Sequence, residues 1–299
     1  MHRALELLRG ARFAAALACP EAVAHIQART GVNLARARAR AGLSRGHLLD
    51  VVVYVPGGTG AGRESSAAEA LVQSLLGEEL FERWVGNVSA TPTVRGGPLT
   101  VLNENSEQQL ALPIETLPES IRAAVAGVKL GLPPLPPAAT RDDADWVAFE
   151  FEPEPAVDFA AQDDLILCST RTPEPKKSFL QGEPFYSGRF CNSEALFAYL
   201  KYESSGLGPE ARLAQRGRLE ATVSAALQPR QATLVGLGLG LRYDYLDLVI
   251  ADPDCVRKQL LPALRKAQVP PRAWLLFFDS ELDREHIPVH EGAPKPFWG

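Results

Sequence analysis

The spacing of apolar positions divides the chain into short elements separated by glycine and proline. Helices are predicted over 3–18 and 20–41, with Pro20 opening the second, where a missing N–H does no harm. That second segment carries Val23, Ile26, Val32 and Leu34 among Arg29, Arg36, Arg38 and Arg40, until Gly42 and Gly46 break the pattern. The apolar run 50–55, bounded by Pro56-Gly57-Gly58, reads as a buried strand. A helix over 67–76 follows, with Ser66 and Glu69 as a capping box, and then a short helix over 78–84. Strands near 85–91 and 98–103 and a helix over 118–128 complete this part.

The second half repeats the mixture. Strands are predicted at 145–152 and 164–171, then a Pro- and Lys-rich loop, an extended piece at 183–190, and helices over 193–204 and 209–227. Residues 231–250 read as one long strand or a hairpin, 253–267 as a helix capped by Asp252, and 272–279 as a strand. Strands that both alternate with helices and follow one another predict an α+β fold. It would hold two mixed α/β units, the second with a largely antiparallel sheet and helices packed on one face. Four prolines in 131–143 stiffen the backbone and forbid helix there. That stretch is the expected linker between an N-terminal domain, 1–130, and a C-terminal domain, 144–299.

Composition narrows the class. The chain has 299 residues, 46% hydrophobic and 22% charged, which suits one or two globular domains and excludes disorder throughout. No apolar run reaches the length of about 18 residues that a membrane span needs. The opening segment resembles an export signal, but its apolar stretch, Phe13 to Ala18, is too short and Glu6 stands where basic residues belong. A plain N-terminal helix and a cytoplasmic chain are therefore expected. Cys19, Cys168, Cys191 and Cys255 are too dispersed for a disulfide or zinc framework, so free thiols are expected.

The net charge of −5 hides an asymmetry. Residues 1–50 hold eight arginines against three acids, whereas 142–164 hold nine acids and no lysine or arginine. The acidic total argues against nucleic-acid binding. A dense anionic stretch instead suits a basic protein partner, since it steers and selects cationic surfaces. The arginines at 29, 36, 38, 40 and 45 are expected either to bind anions or to pair with the acidic stretch.

Three segments have possible chemistry. The loop PGGTGAGRESS, 56–66, joins a strand to a helix, and Gly57, Gly58, Gly60 and Gly62 with Arg63 could cradle a phosphate at the helix N-terminus. The P-loop pattern is incomplete, because Arg63 and Glu64 stand where lysine and a hydroxyl residue belong. Gly236, Gly238 and Gly240 leave one strand face bare, and Tyr243, Tyr245 and Asp247 beyond them share a face that could floor a binding groove. Asp279, Asp283, His286 and His290 are metal-capable types, but Pro288 disfavours the helix that would unite the histidines. On a strand they would stand about 13 Å apart, too far for one ion.

No catalytic motif is complete, and neither a cofactor nor a metal is expected. The expected function is that of a non-enzymatic protein-binding module, immunity- or adaptor-like. It would dock a basic partner through Asp142, Asp143, Asp145, Glu152 and Glu154 together with Tyr243, Tyr245 and Asp247 of the C-terminal sheet. The alternative is an enzyme or sensor that takes a phosphate-bearing small molecule at the loop 56–66.

Overall fold

The computed structural model describes residues 13–58, 62–92, 111–133, 146–193 and 195–299. The chain divides into two compact units, Arg12–Gly131 and, in its later part, Leu132–Gly299. The expected linker, 131–143, lies mostly outside the described residues, as does the expected strand at 98–103.

The first unit is an α/β layer. Helix α1, Cys19–Thr30, is followed by β1, Arg38–Leu43, and β2, Leu49–Tyr54. Helices α2, Gly62–Leu76, and α3, Glu78–Trp84, lead into β3, Val85–Thr91; β4, Leu112–Pro113, and α4, Leu117–Gly131, complete the unit. The sheet order is β3-β2-β1-β4, with β2 and β3 parallel and the other pairs antiparallel. Ala67, Ala68, Leu71, Val72 and Leu75 form the buried face of α2, and Val51 and Val53 are buried on β2.

Two expectations are corrected here. The predicted helix 20–41 stops at Thr30, because Gly31 takes a left-handed φ of 73° and donates its N–H back to the Gln27 carbonyl. Beyond it, Val32, Leu34, Ala37 and Ala39 are buried while Arg36 and Arg38 are exposed. Near Arg38 that is the two-residue period of a strand, so the basic segment is largely extended rather than one arginine-striped helix. Helix α2 also begins at Gly62, which puts Ser66 and Glu69 inside it and not at a capping box.

The second unit is built on seven strands in the order β11-β10-β7-β9-β8-β6-β5, and every neighbouring pair is antiparallel. In chain order they are β5, Val147–Glu150; β6, Leu165–Thr170; β7, Leu196–Glu203; β8, Ala232–Gly240; β9, Tyr243–Ile250; β10, Ala273–Phe277; and β11, Ile287–Pro288. Helix α5, Pro173–Leu180, precedes β7, and α6, Pro209–Ala226, follows it. After β9 come α7, Pro253–Cys255, a π turn over Val256–Leu260 and α8, Leu261–Lys266. Asp252 caps this run by accepting a hydrogen bond from the Asp254 N–H at 3.1 Å.

The predicted helix at 193–204 is the central strand β7. Its sequence, LFAYLKYE, is buried on both faces, so the alternation that marks a half-exposed strand is missing. The predicted Pro- and Lys-rich loop is α5, opened by Pro173.

One face of the sheet is aliphatic. Leu200, Leu246, Leu248 and Leu275 pack there against Leu219 and Val223 of α6 and Leu264 of α8. The opposite face is aromatic, with Phe197, Tyr199, Tyr243, Tyr245, Trp274 and Phe278. No helix among the described residues is long and apolar enough to cross a membrane.

Candidate functional site

The aromatic face carries buried charge. Lys176, on α5, is 1% exposed and donates from Nζ to Asp247 Oδ2 at 2.8 Å and to Gln162 Oε1. Gln162 Nε2 donates to the other Asp247 oxygen at 2.9 Å, which closes a three-membered ring of polar groups. An ion pair this deep persists only when its hydrogen bonds are satisfied. Asp164 is fully buried, accepts the Tyr245 hydroxyl on Oδ1, and takes the N–H groups of Arg242 and Tyr243 on Oδ2, each at 2.8 Å.

The glycines of β8 make this network possible. A Cβ on Gly236 would lie 2.6 Å from Asp247 Oδ2, and one on Gly240 would lie 2.5 Å from Asp164 Oδ1. The bare strand face is therefore occupied by carboxylates of the same sheet face, and it admits neither a packed helix nor a free ligand.

Lys201, on β7, is the second buried lysine. Its Nζ donates to the Phe159 carbonyl at 2.5 Å and lies 4.3 Å from the centre of the Tyr243 ring. Burial lowers its pKa to about 8, against the opposing pull of Asp164, Asp158 and Asp163. Next to it, the Tyr243 hydroxyl donates to Asp158 Oδ1 at 2.6 Å, and Arg272 donates to both groups at 2.7 Å. Burial acts to raise Asp158, but the Tyr243 hydroxyl, the Phe159 N–H and the charges of Arg272 and Arg242 outweigh it and hold the carboxyl low. Burial, and then Asp158, push the Tyr243 phenol up to about 12.

A cavity of about 630 Å³ opens on the same face. Its apolar wall includes Phe151, Phe179, Tyr199, Phe278 and Trp298. Phe179 and Phe278 are stacked with centroids 4.1 Å apart, and Tyr199 leans on both at 5.7 Å. Glu152, Asp163, Glu183, Asp279 and Asp283 supply carboxylates around it, and among the described residues no lysine, arginine or histidine lines it. The C-terminal tail contributes Trp298, which meets His286 edge-on at 5.8 Å, while Trp274 Nε1 donates to the Pro294 carbonyl at 2.7 Å and ties the tail down.

Two of these carboxylates are engaged. Asp279 accepts from the N–H and the hydroxyl of Ser187, and Glu183 accepts from the Ser178 hydroxyl at 3.1 Å. Glu152, Asp163 and Asp283 have no side-chain partner among the described residues. Desolvation raises the Asp163 carboxyl, with Lys201 opposing and Asp164 adding to the rise. Tyr199 is only 2% exposed, and its hydroxyl makes no hydrogen bond among the described residues. Burial, and then Asp247, Asp163 and Asp283, push that phenol far up, so it stays neutral. Lining residues of this size and mix resemble a ligand site, apolar walls with a few convergent polar groups.

The residues singled out in the sequence scatter differently from expectation. Glu152 lines the cavity and Glu154 is exposed nearby in sequence, whereas Asp142, Asp143 and Asp145 lie outside the described residues. Tyr243, Tyr245 and Asp247 share a face as expected, but they are fully buried parts of the network and not an exposed groove floor. At the glycine loop, Gly57 has a φ of 76°, Gly62 and Arg63 open α2 on the surface, and Gly60 lies outside the described residues. The Glu64 side chain folds over Gly58, its Cγ 3.5 Å from where a Cβ would stand, and a carboxylate in the first turn suits the helix dipole as an anion would. Among the described residues no group of acids, histidines and cysteines is placed to hold a metal, including Asp279, Asp283, His286 and His290. All four cysteines are free.

Lys176, Lys201, Gln162, Asp163, Asp164 and Tyr199 were not legible as site residues. The one available signal was the glycine stripe itself, because a bare sheet face inside a core requires large neighbours to fill it. No family model, curated protein or solved structure matches the chain.

Proposed function

We propose that the Leu132–Gly299 unit is a non-enzymatic binding module that docks a protein partner with a basic surface, using the acidic segment and the carboxylate-lined cavity beside its sheet. The observation that carries this reading is the cavity with five carboxylates and no basic residue among its described lining. Such a wall attracts cations over several ångströms and disfavours anions, which selects partners by charge. The exposed carboxylates Glu152 and Glu154 extend the same sign along the segment that leads to it. No specific observation supports the phosphate alternative at 56–66, where Glu64 occupies the first turn.

The test is a titration of the purified chain with basic peptides, at low salt and at about 0.15 M, where charges more than about 8 Å apart are screened. Binding should weaken as salt rises and should vanish in the triple charge reversal Glu152→Lys, Asp163→Lys, Asp283→Lys. Tight nucleotide binding with no response to any basic peptide would overturn the reading.

A further inference from the structure

We infer that the cavity is the receptor for an arginine side chain presented by the partner, with the guanidinium seated between the aromatic wall and the three unpaired carboxylates. This rests on the reading of the unit as a module for basic partners and names the group it would recognise.

Four observations point the same way. First, no lysine, arginine or histidine among the described residues lines the cavity, and Glu152, Asp163 and Asp283 stand around it without a hydrogen-bond partner among those residues. Of the two buried lysines, Lys176 is held by Asp247 and Gln162, and Lys201, whose charge acts on Asp163, donates to the Phe159 carbonyl. Glu152 and Asp283 have no such cation among the described residues and suit one brought by a ligand. Second, the stacked pair Phe179 and Phe278, with Tyr199 and Trp298, offers flat π faces. A guanidinium is planar and weakly hydrated, so it stacks on such faces at a smaller desolvation cost than a compact ammonium. Third, Tyr199 lines the cavity, and its hydroxyl, kept neutral by its surroundings, makes no hydrogen bond among the described residues. It can accept one N–H of the ligand. Fourth, about 630 Å³ accommodates the alkyl stem and adjoining backbone as well as the head group. Arginine has five N–H donors spread in a fork, enough to reach several carboxylates and the phenol together, whereas lysine has three donors at one point.

The experiment uses the full chain and follows the indole N–H resonance of Trp298 by NMR. The probes are a short, terminally blocked peptide with one central arginine, the same peptide with lysine or uncharged citrulline in its place, and agmatine. The arginine peptide should shift the Trp298 signal, and citrulline should bind about tenfold more weakly or worse, because it keeps the shape and loses the charge. The triple variant Glu152→Gln, Asp163→Asn, Asp283→Asn should lose a similar factor for arginine and little for citrulline. Tyr199→Phe should cost about threefold for arginine with the circular dichroism spectrum unchanged. Glu210→Gln, at the start of α6 on the other side of the sheet, should change nothing.

Equal binding of arginine and citrulline peptides overturns the inference, as does a preference for lysine. Agmatine binding as tightly as the arginine peptide also overturns it, since the site would then serve a free small cation. If longer basic peptides bind while the single-arginine probe and the cavity variants have no effect, the inference fails and the module reading stands. If no basic probe binds at all, both fail.

Discussion

The two faces of the seven-stranded sheet solve the same problem in opposite ways. On one face, leucines from β7, β9 and β10 meet Leu219 and Val223 of α6, and apolar packing dominates, with an ion pair where Arg212 of α6 donates to the buried Asp244 of β9. On the other, the same three strands contribute Tyr199, Lys201, Tyr243, Tyr245, Asp247 and Trp274, and short segments, not long helices, cover them. The aromatic face holds the buried Lys176–Asp247 ion pair and, beside it, a cavity with carboxylates that make no hydrogen bond among the described residues.

The comparison breaks most sharply at the ion pair. Asp247→Ala leaves the Lys176 ammonium buried without a counter-charge and should destabilise the protein by about 3–5 kcal/mol in urea denaturation. The double variant Lys176→Met, Asp247→Leu should recover most of that loss, because well-packed apolar residues replace a buried pair at little cost. If the double variant were as unstable as the single, the charged face would be stabilised by the pair itself and not merely by its completeness.

On the aliphatic face the expected loss depends on volume alone. Leu246→Ala should cost about 3 kcal/mol through lost burial and the cavity left behind, with no dependence on pH between 5 and about 8. A pH-dependent loss there would show that the two faces are coupled through β9.

Lys201 separates the faces by pH. Its folded pKa, about 8, lies below the ordinary lysine value of 10.5. Between those values the unfolded chain binds more protons than the folded one, so unfolding free energy rises with pH across that window, by up to about 1 kcal/mol per pH unit. Below pH 8 lysine is charged in both states and the cost of its burial is present in full. The difference between wild type and Lys201→Met, followed by denaturant titration from pH 7 to about 11, should reveal this slope. A flat difference would place Lys201 in contact with water.

The smallest effect is expected at the cavity. Asp163→Asn and Asp283→Asn should shift stability by less than about 0.5 kcal/mol, since neither carboxylate makes a hydrogen bond among the described residues and the charges of Lys201 and Asp164 act on Asp163 in opposite directions. A large loss on thermal melting would mean that they hold the fold and not a ligand.

Much of the architecture was visible in local pattern. The strand at 49–54, the helix at 117–131, the hairpin of β8 and β9 and the Asp252 cap all follow from apolar runs, glycine or proline punctuation and a side chain that can bond a free N–H. The failures occurred where pattern is degenerate. LFAYLKYE is apolar on every side because both sheet faces are covered, so its length and composition fit a helix as well as a strand. In ARARARAGL the alternation was present but was read with the helical period, and only Gly31 marks the change. The site was less legible still. Glu152 and Asp163 stood in the acidic run 142–164 and Asp283 among the metal-capable types, but with Tyr199 they are spread over more than 100 residues of chain and share no motif that joins them.

By itself the sequence determined many of the element types, the antiparallel habit of the second unit and the imbalance of charge, because these depend on neighbours along the chain. Tertiary structure decided the type of β7, which acids are hydrogen-bonded, and which sheet face took the two buried lysines. Asp164 and Asp163 are adjacent in sequence, yet one is fully buried under Tyr245 and the other lines an open cavity. That difference is set by what the sheet brings opposite each carboxylate, and long-range contact of this kind has no local signature.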